Sequence, residues 1–256
     1  MAKIFRRIRI DMLTNNRLGK YLLYAVGEII LVVIGILLAL SINNANQEKA
    51  TQAKELAYLN GLKNEFRANQ QKLQNLIDVN KKNYESAKSI LAFVDDTIKT
   101  NEKRLSQLLF DAFAFEIAFS PNNSLLNEMI NSGSLKDISN NELRIHLASW
   151  ESVMENIKFQ EQDLRTQREN VRDLLRSEQG SIRTVFDQTK VSQQVLDIPP
   201  KEHHFSNNAL VQTRTFENNL LTFILTSTSA ETAHYIPLLQ EIDKILNLLD
   251  TELKRE

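Results

Sequence analysis

Cysteine is absent from the 256-residue chain, which excludes disulfides, thiol nucleophiles and thiolate metal sites. The six glycines are scattered, so no phosphate-cradling loop can be assembled from them. The first of only four prolines is Pro121, which leaves the N-terminal half free of that helix breaker. Positive charge is not in excess: 31 Lys and Arg stand against 32 Asp and Glu, a net of −1, and no basic footprint for nucleic acid exists. Strand-like alternation of useful length is missing too, as are a nucleophile elbow and an HExxH pair. These absences point to an all-α chain. With no constellation of nucleophile, base and orienting group, it is read as not an enzyme, with no catalytic residue and no cofactor.

What is present in abundance is one apolar run. Tyr21 to Ile42 is nearly unbroken hydrophobic sequence with a single charge, Glu28. As a helix it covers about 33 Å, enough for a hydrocarbon core of about 30 Å. A signal-peptide core is shorter, about 7–15 residues, so the run is read as a retained transmembrane helix over 21–42. Before it, Lys3, Arg6, Arg7, Arg9, Arg17 and Lys20 oppose only Asp11, a net of +5 over residues 1–20. The positive-inside rule then keeps this basic tail in the cytoplasm and exports residues 43–256, which carry a net of about −5. Ile4, Phe5, Ile8 and Leu13 among the arginines also suit a stretch lying on an anionic leaflet; a short charged tail that sets only topology is the plainer alternative. Within the span, Glu28, Val32, Gly35 and Ala39 share one helical face, with Tyr24 one turn before the glutamate. Gly35 and Ala39 are a small-xxx-small pair that lets another helix approach, and a carboxyl group is disfavoured facing lipid. Glu28, Gly35, Ala39 and Tyr24 are therefore the candidate intramembrane packing residues.

Beyond the span, Leu59, Leu62, Phe66, Asn69, Leu73, Leu76, Asn80 and Asn83 hold one helical register, resumed by Ala87, Leu91 and Val94. This predicts a stalk helix over 43–95. Residues 102–119 predict a second helix ended by Ser120-Pro121, and a short one over Leu125–Ile130 stops at Gly133, so short helices occupy 102–131. Ser139 and Glu142 form a capping box for a long helix over 140–178, with Leu143, Leu147, Trp150, Met154, Ile157, Glu161, Leu164, Arg168, Val171 and Leu175 on one face. After an ambiguous stretch to Val195, a loop at Asp197–Pro200 and a turn capped by Ser206, a last helix spans 216–253. Its register is Leu221, Ile224, Thr228, Glu231, Tyr235, Leu238, Ile242, Ile245 and Leu249, and Pro237 should kink it. The last two long helices both measure about 57 Å, so each is expected to pack antiparallel to the stalk in an elongated helical bundle or coiled coil. Each seam is interrupted by polar residues: Asn80/Asn83, Glu161/Arg168 and Thr228/Glu231. If these levels coincide they make a polar layer, and otherwise they mark places where the helices splay; such residues fix register or partner number or line a ligand pocket.

Two stretches, YLLYAVGEIILVVIGILLALSINN and FSPNNSLLNEMINSGSLKDISNNELRIHL (Phe119 to Leu147), resemble a widespread family of uncharacterised bacterial single-span membrane proteins, known only as a domain of unknown function. One departure is visible: Ala45 follows Asn43-Asn44 where that family carries tryptophan. The resemblance implies single-span topology in the bacterial inner membrane and a helical periplasmic domain. It implies no activity.

Metal chemistry has one weak pointer, Glu231-x-x-His234, which matches half of a di-iron unit but lacks a second copy. His146 lies four after Glu142, and His203-His204 reads as an exposed loop. No metal site is assigned. The function read from these residues is a membrane-anchored helical interaction, scaffold or sensor-like protein whose partner is itself or another membrane protein. The alternatives are an ion-coupled accessory subunit using Glu28 and a small-molecule-binding sensory bundle.

Overall fold

The computed structural model of the protein describes residues 18–94 and 101–255. Residues 1–17 of the basic tail, with its arginines and the residues Ile4 to Leu13, lie outside them. Every regular element among the described residues is helical. The chain divides into two units between Ala57 and Tyr58. In the first, helix α1 (Leu18–Val94) begins and its apolar residues stand exposed: Leu23 is 81% and Leu31 73% accessible.

The second unit is a bundle built from the rest of α1 together with α2 (Glu102–Phe113), α3 (Ser124–Ser132), α4 (Asn141–Arg176), α5 (Ile182–Gln188), α6 (Val191–Gln194), α7 (Asn208–Val211), α8 (Arg214–Ala230) and α9 (Ile236–Arg255). The predicted seam of α1 from Leu59 to Asn83 is buried at every position. Past it the buried face moves to Ile90 and Phe93, and Leu91 and Val94 are only half-buried against the core. On α4 the predicted register is buried throughout except at half-buried Glu161.

Helix directions follow from which residues meet. Along α8 and α9, Asp250 pairs with Lys63, Asp243 with Gln70 and Ser227 with Asn80, so these helices run antiparallel to α1. Helix α4 meets α1 through Trp150 against Phe66, with ring centroids 4.9 Å apart, and Arg168 against Asn83. It therefore runs parallel to α1, which corrects the expectation that both later helices oppose the first. The reason lies in the return path. Helix α2 comes back beside α1, placing Asp111 at Lys82. It then ends at Phe113, and non-helical chain carries residues 114–123 on until Asn122 meets Asn69. Extended chain covers about twice the distance per residue that helix does. A helix continued to Phe119, as the apolar pattern suggests, would fall short of that level; α2 thus stops well before Pro121.

The Ser120–Ser124 turn is held by side chains distant in sequence. Asn69 accepts from the Asn122 N–H at 2.6 Å and donates to its carbonyl at 2.9 Å. Trp150 Nε1 donates to Asn123 at 3.1 Å. Glu65 of α1 accepts from the Leu125 and Leu126 N–H groups at 2.7 and 3.3 Å, taking the place of a local cap for α3. Gly61 faces Leu125, where an added Cβ would crowd the leucine methyl. Helix α3 ends at Gly133 with φ of 71°, the left-handed stop expected there. The cap of α4 is Asn140, whose Oδ1 accepts from Leu143 N–H at 2.9 Å, one residue beyond the expected Ser139. Glu142 pairs with Lys244 of α9 at 2.9 Å. Ser206 Oγ does accept from Asn208 N–H at 3.2 Å, although Asn207 is the residue that precedes α7.

Pro237 does not break the last helix. Without its N–H, the turn just before it widens to a π-turn over Glu231–Tyr235, in which Ile236 N–H reaches the Glu231 carbonyl. Such a turn adds one residue and rotates everything beyond it. Phe216, Leu220, Phe223, Ser227 and Ala230 are buried before the turn; Tyr235, Leu238, Ile242, Ile245 and Leu249 are buried after it. The single register drawn through Leu221, Ile224 and Thr228 is thus off by one residue, with Leu221 46% exposed.

Candidate functional site

The polar interruptions of the three long seams do meet, in a layer beside the π-turn. Asn80 donates to the Ser227 carbonyl at 2.9 Å. Tyr84 donates to Glu231 Oε1 at 3.2 Å, and Tyr235 to Glu161 Oε1 at 3.2 Å. Glu161 also accepts from Phe119 N–H at 2.7 Å. In the orientation that satisfies its amide, Asn83 donates to the Asp111 carbonyl at 2.9 Å and accepts from Arg168 Nη2 at 3.3 Å. Thr228 is not a member; its hydroxyl returns to the Ile224 carbonyl. Tyr84, Ser227 and Tyr235 complete the layer. They escape notice in sequence because no charge marks the serine and tyrosine reads as core.

Charge in this layer is poorly compensated. Arg168 is 1% exposed, and among the described residues no carboxylate pairs with it. Its guanidinium lies 5.5 Å from the centre of the Phe223 ring, and its Nε has no partner. Burial pulls the Arg168 guanidinium below its usual value. It pushes the Glu161 carboxyl up, against the bonds from Phe119 N–H and Tyr235 that favour the charged form. Tyr235 is raised by burial and then by the Glu161 charge. Asn80 Oδ1, Ser227 Oγ and Glu231 Oε2 are likewise buried without partners. A layer with this many unmet atoms costs stability.

One turn further along α4, an apolar cavity of about 260 Å³ opens between α2, α4, α5 and α6. Leu109, Phe113, Leu175 and Val185 form its walls, and Phe115 and Val195 stand at its mouth, 65% and 73% exposed. Arg172 is the only charged residue lining it. Below it, the Asp187 carboxylate organises the proline loop. It accepts from Arg183 Nε at 2.9 Å and Lys201 N–H at 3.1 Å, with His204 3.3 Å away. Burial alone would raise this carboxyl, but the Lys201 N–H and Arg183 outweigh it and hold it at about 2. The histidine loop is thus tied back through His204, and the Arg183-x-x-x-Asp187 spacing was its one sequence signal.

The packing residues expected on the apolar run are all described. Tyr24 and Glu28 are half-buried, and Gly35 and Ala39 exposed, on α1. Of the possible metal ligands, Glu231 binds Tyr84 rather than acting with His234, and His146 Nδ1 lies 2.6 Å from Glu241. Among the described residues no three acidic or histidine side chains converge as metal ligands do.

No curated protein and no solved structure matches the chain. Residues 28–195 match a family of unknown function, a stretch that starts at the glutamate of the apolar run and ends at the mouth of the cavity. More than half of the sequence is covered, and the chain belongs to that family, DUF6090.

Proposed function

We propose that the chain is a single-span protein of the bacterial cytoplasmic membrane, with its basic tail inside and its helical bundle in the periplasm serving as an interaction module. The supporting observation is the accessible apolar start of α1: the window of highest hydropathy has none of its residues buried. In water this surface is unfavourable by about 25 cal/mol per Å². In a bilayer each Leu, Ile or Val near the centre contributes about 0.3–0.6 kcal/mol of insertion free energy. The role is binding rather than catalysis, with a second copy or another membrane protein as partner, reached in the membrane along Glu28, Gly35 and Ala39 with Tyr24 nearby. A periplasm-only reporter fused after Glu256 should be active, and protease added outside spheroplasts should remove the bundle. Reporter activity confined to the cytoplasm refutes this topology.

A further inference from the structure

The cavity beside Arg172 has three properties that together specify a ligand. At about 260 Å³ it falls below the ~300–1,000 Å³ of drug-sized pockets, so it suits one short chain and not a two-chain lipid. Its walls, Leu109, Phe113, Leu175 and Val185, present only apolar atoms, and its mouth keeps two large apolar side chains, Phe115 and Val195, in solvent. Covering this apolar surface with an apolar guest is favourable by about 25 cal/mol per Å².

The one charged side chain lining it is a cation, Arg172. Arg165 pairs with Glu116, and Arg176 with Glu169 and Asp173. Arg172 shares Glu169 through one nitrogen, Nη1, at 2.7 Å, which leaves its remaining guanidinium N–H groups available to a second carboxylate. Arg172 and Arg176 face Glu169 and Asp173, so what this cluster offers an anion is the uncommitted donors of Arg172 rather than an excess of charge.

We propose that the cavity binds one single-chain anionic amphiphile, its chain among Leu109, Phe113, Leu175 and Val185 and its head on Arg172. The head is a carboxylate of a free fatty acid or the phosphate of a one-chain lipid. This goes beyond the anchoring reading and does not depend on it.

The test uses the full chain held in amphipol, with empty amphipol as blank. Carboxyl-labelled decanoate is titrated and followed by NMR; decanol and decanoyl lysophosphatidate are titrated as competitors. Saturable one-to-one binding of decanoate is expected, with decanol at least about tenfold weaker because it lacks the charged hydrogen bond. Arg172→Gln should erase that difference, and Val195→Trp at the mouth should block both ligands while melting like the parent. Tighter binding of decanoate, or of lysophosphatidate, supports the proposal and tells which source supplies the head. Absence of saturable decanoate binding by the folded parent overturns it, and so does decanol binding as tightly as decanoate. A Val195→Trp variant that melts and binds like the parent also overturns it. So does crosslinking between Val195→Cys copies that decanoate leaves unchanged, since a second copy would then fill the cavity.

Discussion

Arg168→Met should make the bundle more stable, although it deletes a charge from the centre of the polar layer. The guanidinium is 1% exposed, and desolvating an ion costs several kcal/mol even after relaxation. Against this stand one charged hydrogen bond, to Asn83 at 3.3 Å, of about 1.5–3 kcal/mol at best. The Phe223 ring at 5.5 Å contributes about 0.5–2 kcal/mol. Methionine fills much the same volume and packs against Phe223 without those demands, so a gain of about 1–4 kcal/mol is expected. For a domain of this size each kcal/mol moves the midpoint by about 2–4 °C. Asn83→Leu is the opposite perturbation: it removes the arginine's one hydrogen bond, and a loss of about 1.5–3 kcal/mol follows. Thermal and urea melts of the full chain in mild detergent, followed by circular dichroism, measure both. If Arg168→Met is destabilised by more than about 2 kcal/mol, the guanidinium has a counter-charge and the account of this layer is wrong.

Asn140→Ala should cost about 0.5–2 kcal/mol as the loss of the α4 cap, Ser139→Ala much less, and Leu147→Ala about 2–5 kcal/mol, all in the same melts. Stability should also respond to pH with two opposite signs. Glu161 has a raised carboxyl, so its contribution is complete below the ordinary glutamate value and is lost as pH rises through the folded one; Glu161→Gln should flatten that limb of a pH–stability curve. Asp187 is held at about 2, so it stabilises above the ordinary aspartate value and loses on the order of 1–2 kcal/mol as pH falls toward 2; Asp187→Asn should remove that acid limb. In native membranes Glu28→Gln should preserve crosslinked association, whereas Glu28→Leu and Gly35→Leu should weaken it; equal association of all three refutes Glu28 as an interface group.

The sequence by itself determined the helical class, the apolar run and the seams of α1 and α4, because those follow from local periodicity and from which residues water rejects. The stop at Gly133 was legible for the same reason, since a left-handed position favours glycine wherever it occurs. Tertiary structure decided the rest. Helix α2 ends at Phe113 rather than at Pro121 because the chain must travel back along α1 to meet Asn69 and Glu65, partners about 50–60 positions away that no local pattern reveals. The π-turn before Pro237 shifts the buried face by one residue, so one register could not describe both ends of the last helix. Two of the three polar interruptions were read correctly, and that they share a level was left open. Their coincidence, and the cavity next to them, exist only because α4 runs parallel to α1 and α8 against both, a choice made by packing among helices and not by any one of them.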